Sequence, residues 1–326
     1  MLLAVGTSRA QAPLLGALLA LLALSVHATP PWDPADVRLV ARRLAPGVYA
    51  ALPDDADKKD HVATTGGIVV GKEGVLIVES MVTGRLAAQL IGLARGISHK
   101  PIRYLVNTSY HGDHSYGNYV FPQQTVVIQH PSTKAYIDSK FEQDRAFMLN
   151  LMGRGKGIEE VTPRSADITV ADWLAVDLGG LVAEVRHFGF GQTPGDLVVW
   201  LPVQKVLWTG NLIQAAPPAL PWLLEGRHRE TIETLKRLQA FLPEDAVIIP
   251  GHGRPMQRSD ISYAIGYLEE LDRKVRAAIA TSRSLEDTKQ TVTMPEYARY
   301  SLFNWVHNEV NLPAVYKALA GPGAAN

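Results

Sequence analysis

No cysteine occurs anywhere in the 326 residues. The chain therefore forms no disulfide, carries no reactive thiol and offers no thiolate to a metal ion. It also lacks an excess of charge of either sign, with 32 Lys and Arg facing 32 Asp and Glu. Without a basic field there is nothing to hold a phosphate backbone, so nucleic acid is excluded as a partner. Long hydrophobic runs are missing as well, apart from one at the N-terminus.

In that run, Arg9 precedes Leu14 to Val26, an almost wholly apolar stretch, and Val26-His27-Ala28 is a small-residue cleavage pattern. This reads as a secretory signal peptide, residues 1–28, and as a periplasmic or secreted mature protein that starts at Thr29. The stretch is short for a bilayer, so no stable membrane anchor is expected after cleavage. Removal takes away only Arg9, which leaves 31 basic against 32 acidic residues and a formal charge of −1.

Hydrophobic residues make up 47% of the chain, ample for a large core. Strand-like runs fall at Val48 to Leu52, Gly67 to Val70, Val75 to Glu79, Ile102 to Asn107 and Thr125 to Gln129. They resume at Ile168 to Val170, Leu174 to Leu178, Leu181 to His187, Leu197 to Leu201, Val206 to Trp208 and Ala246 to Ile249. Helical patterns cover Leu86 to Ile97, Ser139 to Lys156, Glu230 to Phe241, Ser259 to Thr281 and Met294 to Leu319. In the second of these, Phe141, Phe147, Met148, Leu151 and Met152 form an apolar face, suited to core packing or to an adaptable lid. Two segments, from Gly67 and from Asp196, look alike as hairpins followed by loops, which hints at two similar halves.

The densest chemistry lies in Ser109-Tyr110-His111-Gly112-Asp113-His114, directly after an apolar strand. Imidazole and carboxylate are ligands of zinc and similar divalent ions. Without a cation between them, such groups would crowd one another at a cost. Three further segments fit the same site: Gly191-Gln192-Thr193-Pro194-Gly195-Asp196, Thr209-Gly210-Asn211 and Pro250-Gly251-His252-Gly253.

Together these four segments resemble the metallo-β-lactamase-fold superfamily, whose signature reads His-x-His-x-Asp-His, followed by Gly-His-Thr-x-Gly-Asp, Thr-Gly-Asp and Pro-Gly-His-Gly. The resemblance implies an α/β fold, a four-layer αββα sandwich of two mixed β-sheets flanked by helices, over residues 44–258. A helical insertion at about 139–157, an N-terminal extension at 29–43 and a C-terminal helical segment at 259–326 complete the expected organisation.

The departures from the family pattern are as informative. The resemblance places Ser109, His111 and Gln192 where the family has the three His of its first metal site, so two of those ligands are replaced. Asn211 stands where the bridging Asp of glyoxalase-like members stands. The second-site positions are all filled by ligands: Asp113, His114 and His252. With no cysteine, the Asp-Cys-His site of some lactamases is excluded.

Three protein ligands leave a position open, the arrangement of a catalytic zinc rather than a structural one. Such an ion lowers the pKa of water towards about 7. The resemblance thus implies an exported hydrolase with one zinc ion per chain, β-lactamase-like or glyoxalase-like, acting on an amide, lactam, ester or thioester of a small-molecule substrate. Iron or manganese would suit the same donors. In this scheme Asp113 and His111 are catalytic, with His111 a general base or a weak ligand. Ser109, Gln192 and Asn211 hold water or a substrate carbonyl, Glu79 orients the metal loop, and Tyr110 flanks it. His187 is a candidate support and His61 could reach the cleft mouth, whereas His99, His130, His228 and His307 read as packing or surface residues.

The alternative is a catalytically degenerate metal- or ligand-binding protein of the same fold. Oxygen chemistry is disfavoured because persulfide dioxygenases of this fold keep iron in the first site, which is the incomplete one here. No sequence signal bears on oligomeric state.

Overall fold

The computed structural model describes residues 32–58 and 63–321, so the segment read as a signal peptide and His61 lie outside the described residues. The apolar runs assemble into two sheets. The first contains β1 (Leu39–Ala45), β2 (Val48–Pro53), β3 (Gly66–Val70), β4 (Val75–Val78), β5 (Ile102–Val106), β6 (Val126–Gln129) and β7 (Ile168–Thr169), side by side in chain order. The second holds β8 (Trp173–Asp177), β9 (Val182–His187), β10 (Leu197–Leu201), β11 (Val206–Ala215), β12 (Val247–His252) and β13 (Met256–Gln257), in the order β13-β12-β11-β10-β9-β8. Residues 39–43, part of the stretch read as an N-terminal extension, lie in β1.

Connection length decides strand direction. Strands β1 through β4 form an antiparallel meander, with tight turns between β1 and β2 and between β3 and β4. Helix α1 (Gly84–Ile97) bridges β4 to β5, and a helical crossover of that length returns the chain parallel. The helix that links β11 to β12 has the same effect in the second sheet. Each sheet thus contains a hairpin whose second strand is followed by a parallel neighbour: β3–β4 with β5, and β10–β11 with β12. These are the two segments that look alike in sequence.

The remaining helices among the described residues are α2 (Gly112–Ser115), α3 (Pro131–Met152), α4 (His228–Phe241), α5 (Ile261–Ala280), α6 (Leu285–Thr291), α7 (Phe303–Trp305) and α8 (Leu312–Ala320). Leu86 and Leu90 of α1 and Phe141, Met148 and Met152 of α3 cover the outer face of the first sheet. Leu235 and Leu238 of α4, with Tyr267 and Leu271 of α5, cover the outer face of the second. Between the sheets lie Val48, Leu76, Val106, Val199, Trp208 and Ile249. The result is the αββα order of layers.

Trp208 fastens the two sheets. Its Nε1 donates to Gly66 O across the interface at 3.0 Å. Its ring lies on Gly67, where a Cβ would sit 2.6 Å from the indole, so only glycine admits it. Truncating so large a buried ring costs about 3–5 kcal/mol.

Two helices differ from their sequence-based bounds. The helix expected over Ser139 to Lys156 begins earlier, at Pro131, and ends at Met152. His130 caps it, with Nδ1 accepting from Ser132 N at 3.1 Å, and Pro131 pre-sets its first turn. Its polar first turns hid this start. The expected apolar face also divides, because Phe141, Met148 and Met152 recur on one side and are buried, whereas Phe147 is 50% exposed. The single helix expected over Met294 to Leu319 is broken. Met294 adopts left-handed φ of 43°, Pro295 opens a short 3-10 turn, and a π-helical segment at Val306–Asn311 separates α7 from α8. No helix of the described residues is long and apolar enough to cross a membrane.

Candidate metal centre

Strands β5 and β12 both deliver side chains at their C-terminal ends, where parallel strands of α/β sheets place their sites. After β5 the chain turns into α2, which carries Asp113 and His114, and β12 ends on His252. These three residues each present a ligand atom, and the three atoms lie within 4.8 Å of one another. His114 Nε2 and His252 Nε2 are each 3.3 Å from Asp113 Oδ2. Their rings meet edge-on, with centroids 5.8 Å apart and planes at 88°.

A further layer of side chains holds this group in place. Glu79 follows β4 with φ of 67°, a left-handed backbone that sends its carboxylate under the metal loop. Glu79 Oε1 lies 3.1 Å from His114 Nδ1. Thr108 N donates to Glu79 Oε2 at 3.3 Å, and the Thr108 hydroxyl donates to Oε1. The carbonyl of His114 accepts from Asn107 Nδ2 at 2.9 Å and from Ser80 N at 3.0 Å. Thr64, which no sequence signal marked, donates its hydroxyl to Asp113 Oδ2 at 2.8 Å. An isolated bridge from Thr64 to His252 ties the same residue to the other ligand strand.

Electrostatics follow from burial and neighbours. Burial works against the Asp113 charge, yet the imidazoles of His114 and His252 hold its carboxyl well below the usual range. Burial also opposes a charged His114, but the Asp113 and Glu79 carboxylates outweigh it and raise that imidazole to about 9. His111 behaves oppositely, since burial pushes it down to about 4. Two carboxylates beside two imidazoles make a site that calls for positive charge.

The donor set fits a divalent ion. Ligand bonds of about 2.0–2.2 Å at tetrahedral angles separate ligand atoms by roughly 3.4 Å, close to the observed 3.3 Å. Among the described residues neither ring nitrogen of His114 makes a well-aligned hydrogen bond, and Nε2 is buried as a ligand nitrogen would be. Its other ring nitrogen faces Glu79, the carboxylate–histidine arrangement that fixes tautomer and ring orientation at metal sites.

The positions corresponding to the family's first site are polar and buried. Ser109 is fully buried, and its hydroxyl accepts from His111 N at 3.5 Å. Gln192 N donates to Asp196 Oδ2 at 2.6 Å and Gln192 Nε2 to Gln214 Oε1 at 3.3 Å. Gln192 Oε1, Asn211 Oδ1 and His111 Nε2 have no hydrogen-bond partner among the described residues. Asp196 organises the Gln192 loop through Gln192 N and Thr193, and burial raises its carboxyl to about 6. Neither Gln214 nor the anchoring part of Asp196 was singled out from sequence, although Asp196 lies in the quoted motif.

Tyr110 makes its contacts at the rim. Its hydroxyl donates to Glu225 Oε1 at 2.7 Å, and its ring stacks on Tyr136 at 3.7 Å and lies 4.7 Å from the His111 ring. His187 braces the Gln192 loop, with Nδ1 3.0 Å from Asp196 O and its ring 4.5 Å from that of His130. His228 pairs with Asp272 at 2.7 Å, His307 with the Tyr267 hydroxyl at 3.0 Å, and His99 is exposed.

Known proteins resemble this chain in sequence and fold. A profile of the metallo-beta-lactamase superfamily matches residues 62–252. A linear primary-alkylsulfatase from Pseudomonas sp. (strain ATCC 19151) is 24% identical over 246 residues, 65% of this chain and 44% of its own length. A metallo-beta-lactamase type 2 from Bacteroides fragilis is 20% identical over 194 residues, 59% of this chain and 70% of its own. Among solved structures, the metallo-beta-lactamase from Pontibacter korlensis superposes with a TM-score of 0.53 at 22% identity, covering 71% of this chain and 99% of that one. The stereoselective inverting sec-alkylsulfatase Pisa1 from Pseudomonas sp. superposes with a TM-score of 0.63 at 17% identity, covering 88% of this chain and 51% of that one. The structural likenesses show the fold. The profile spans more than half of the 326 residues, and the chain belongs to the metallo-beta-lactamase superfamily.

Proposed function

We propose that this protein is an exported hydrolase that uses one divalent ion, held by Asp113, His114 and His252, against an amide, lactam, ester or thioester of a small molecule. The observation that carries the reading is the convergence of those three ligand atoms within 4.8 Å of one another, beside first-site positions that lack two imidazoles. Zinc is the ion such donors favour. Its contribution is that of a Lewis acid, which makes a hydroxide nucleophile accessible at neutral pH.

The chain's own residues have definable tasks in this reading. Glu79 and Thr64 hold His114 and Asp113 in one rotamer each. His111, whose Nε2 has no hydrogen-bond partner among the described residues, is held neutral by burial and orients water by accepting its hydrogen bond. Export rests on residues 1–28. The test is elemental analysis of protein purified without added metal, run beside a turnover panel of a chromogenic lactam, an aryl ester and a thioester. About one ion per chain with turnover of one class supports the reading. One ion without any turnover favours the binding-protein alternative.

A second reading is hydrolysis of alkyl sulfate esters. It is favoured by the correspondence with Pisa1 over 88% of this chain, which reaches past residue 258 into the C-terminal helices. Sulfate release from hexyl and 2-octyl sulfate, measured in the same panel, separates it from the first.

A further inference from the structure

The three candidate ligands are closed off from solvent. His114 is fully buried, His252 is 8% exposed and the Asp113 side chain 17%. Ser109, in the same loop as Asp113, is fully buried too. A substrate reaches such a site only through an opening, which a flanking loop can supply. The loop after β11 borders the site twice. It leaves at Ala215, which pairs with His252, and comes back at Glu225 and Arg227.

Both ends of the returning stretch are fixed. Asn311, fully buried in the π-helical segment, grips the first end. Its Oδ1 accepts from Leu223 N at 2.9 Å and its Nδ2 donates to Pro221 O at 2.7 Å. A backbone N–H only donates and a backbone carbonyl only accepts, so these two partners set the orientation of the amide. Between them the Trp222 ring stands edge-on to that of Trp305, with centroids 4.9 Å apart. At the other end α4 begins with His228, whose Nε2 lies 2.7 Å from Asp272 Oδ1 of α5.

Between these anchors Leu224-Glu225-Gly226-Arg227 joins the two loops that carry the site. Glu225 Oε1 accepts from the hydroxyl of Tyr110, the neighbour of His111, at 2.7 Å. The Arg227 guanidinium lies 4.3 Å over the ring of Phe190, in the Gln192 loop. Burial and the Glu225 carboxylate both raise the Tyr110 pKa, so its hydroxyl remains a donor at physiological pH. Leu224 is 41% exposed, and Glu225 and Arg227 face solvent as well. Exposed contacts of this kind are weak, so releasing them costs little. Gly226 has a φ of 74°, a left-handed state that glycine adopts freely, and its bond to Leu223 O at 3.1 Å is local. We propose that residues 224–227 form a strap across the metal centre, latched by Tyr110 and Glu225, which opens to admit the molecule on which the site acts. The inference rests on the hydrolase reading only in requiring that such a molecule enters. Opening involves no unfolding, because Asn311 and α4 keep the ends in place.

Thiol accessibility tests this without any turnover. The chain holds no cysteine, so one introduced thiol reports on its own surroundings alone. Ser109→Cys places it inside the site, and Val275→Cys places it in the fully buried core of α5 as a reporter of global unfolding. Both full-length proteins, as isolated, are treated with N-ethylmaleimide and followed by mass spectrometry. Local opening should make the Ser109→Cys thiol react at least about tenfold faster than the Val275→Cys thiol, and at least about tenfold slower than free cysteine. Tyr110→Phe, which keeps the ring and loses the donor, and Glu225→Ala should each speed the Ser109→Cys reaction by about three- to fivefold and leave the Val275→Cys reaction unchanged. A Ser109→Cys thiol that reacts like free cysteine overturns the proposal, because the site then stands open. One that reacts no faster than the Val275→Cys thiol overturns it too, because only unfolding then exposes the site. So do rates that neither latch substitution changes, or a Val275→Cys reaction that accelerates in step. Gated rates in a protein that hydrolyses nothing keep the strap and lose the hydrolase reading. A hydrolase with ungated rates does the reverse.

Discussion

Glu79 Oε1 lies 3.1 Å from His114 Nδ1, and the opposite nitrogen of the same ring lies 3.3 Å from Asp113 Oδ2. The imidazole is thus gripped between two carboxylates from different parts of the chain. Glu79 reaches it only by taking a φ of 67°, a backbone state that disfavours non-glycine residues by about 1–2 kcal/mol. Thr108 satisfies the Glu79 carboxylate from its other side through its N–H and hydroxyl.

Glu79→Gln removes the charge but keeps the shape. Metal affinity should fall by about 10- to 100-fold, the usual effect of losing a partner behind a ligand histidine. Competition with a chromogenic chelator measures it. Unchanged affinity would show that Glu79 serves folding alone.

The ligand assignment predicts metal stoichiometry. The unmodified protein should carry about one ion per chain, and Asp113→Ala or His252→Ala should lower this towards zero. Ser109→His combined with Gln192→His supplies two more imidazoles and should raise it towards two. Elemental analysis of the four proteins decides. Two tight ions in the unmodified protein would falsify the reading of Ser109 and Gln192 as non-ligands.

Asp144 predicts a pH dependence of stability. It is 8% exposed and accepts from the Tyr116 hydroxyl at 2.6 Å and the Tyr136 hydroxyl at 3.2 Å. Burial outweighs these bonds and lifts its carboxyl from 3.8 to about 6. The folded state therefore binds the proton more tightly than the unfolded chain. Its stability contribution is complete below the unfolded pKa and is lost as pH rises through about 6, by something on the order of 2 kcal/mol. Asp144→Asn should match the parent near pH 4 and exceed it at pH 7 in urea unfolding. Parallel stability curves across that range would count against this account.

Helix α3 divides between core and surface. Met148 is 7% exposed against the first sheet, and Phe147 beside it is 50% exposed. Met148→Ala should cost about 2–5 kcal/mol. Phe147→Ala should change stability by less than about 0.5 kcal/mol. Any effect of the Phe147 substitution would fall on substrate affinity if α3 borders the cleft. Thermal melts of both variants, with a Michaelis constant for the second, test the division.

Export predicts that the mature chain from its native host begins at Thr29. Amino-terminal sequencing that finds Met1 in place would refute it.

The sequence by itself carried the candidate ligand types, their order along the chain and the class of fold. Asp113 and His114 are adjacent and follow an apolar run, so a local pattern announces them, and Pro250-Gly251-His252-Gly253 closes a short buried strand. Alternation and apolar runs reveal strands because burial of a sheet face leaves a period that can be read locally. Contacts between distant residues leave no such trace. Thr64 reaches Asp113 only because β3 is paired into the first sheet and its approach loop bridges to His252. Nothing near Gly67 in the chain says that Trp208 will lie on it. The early start of α3 was hidden because its first turns are polar, and the break before α8 because the left-handed Met294 and the π-helical segment are set by packing rather than by propensity.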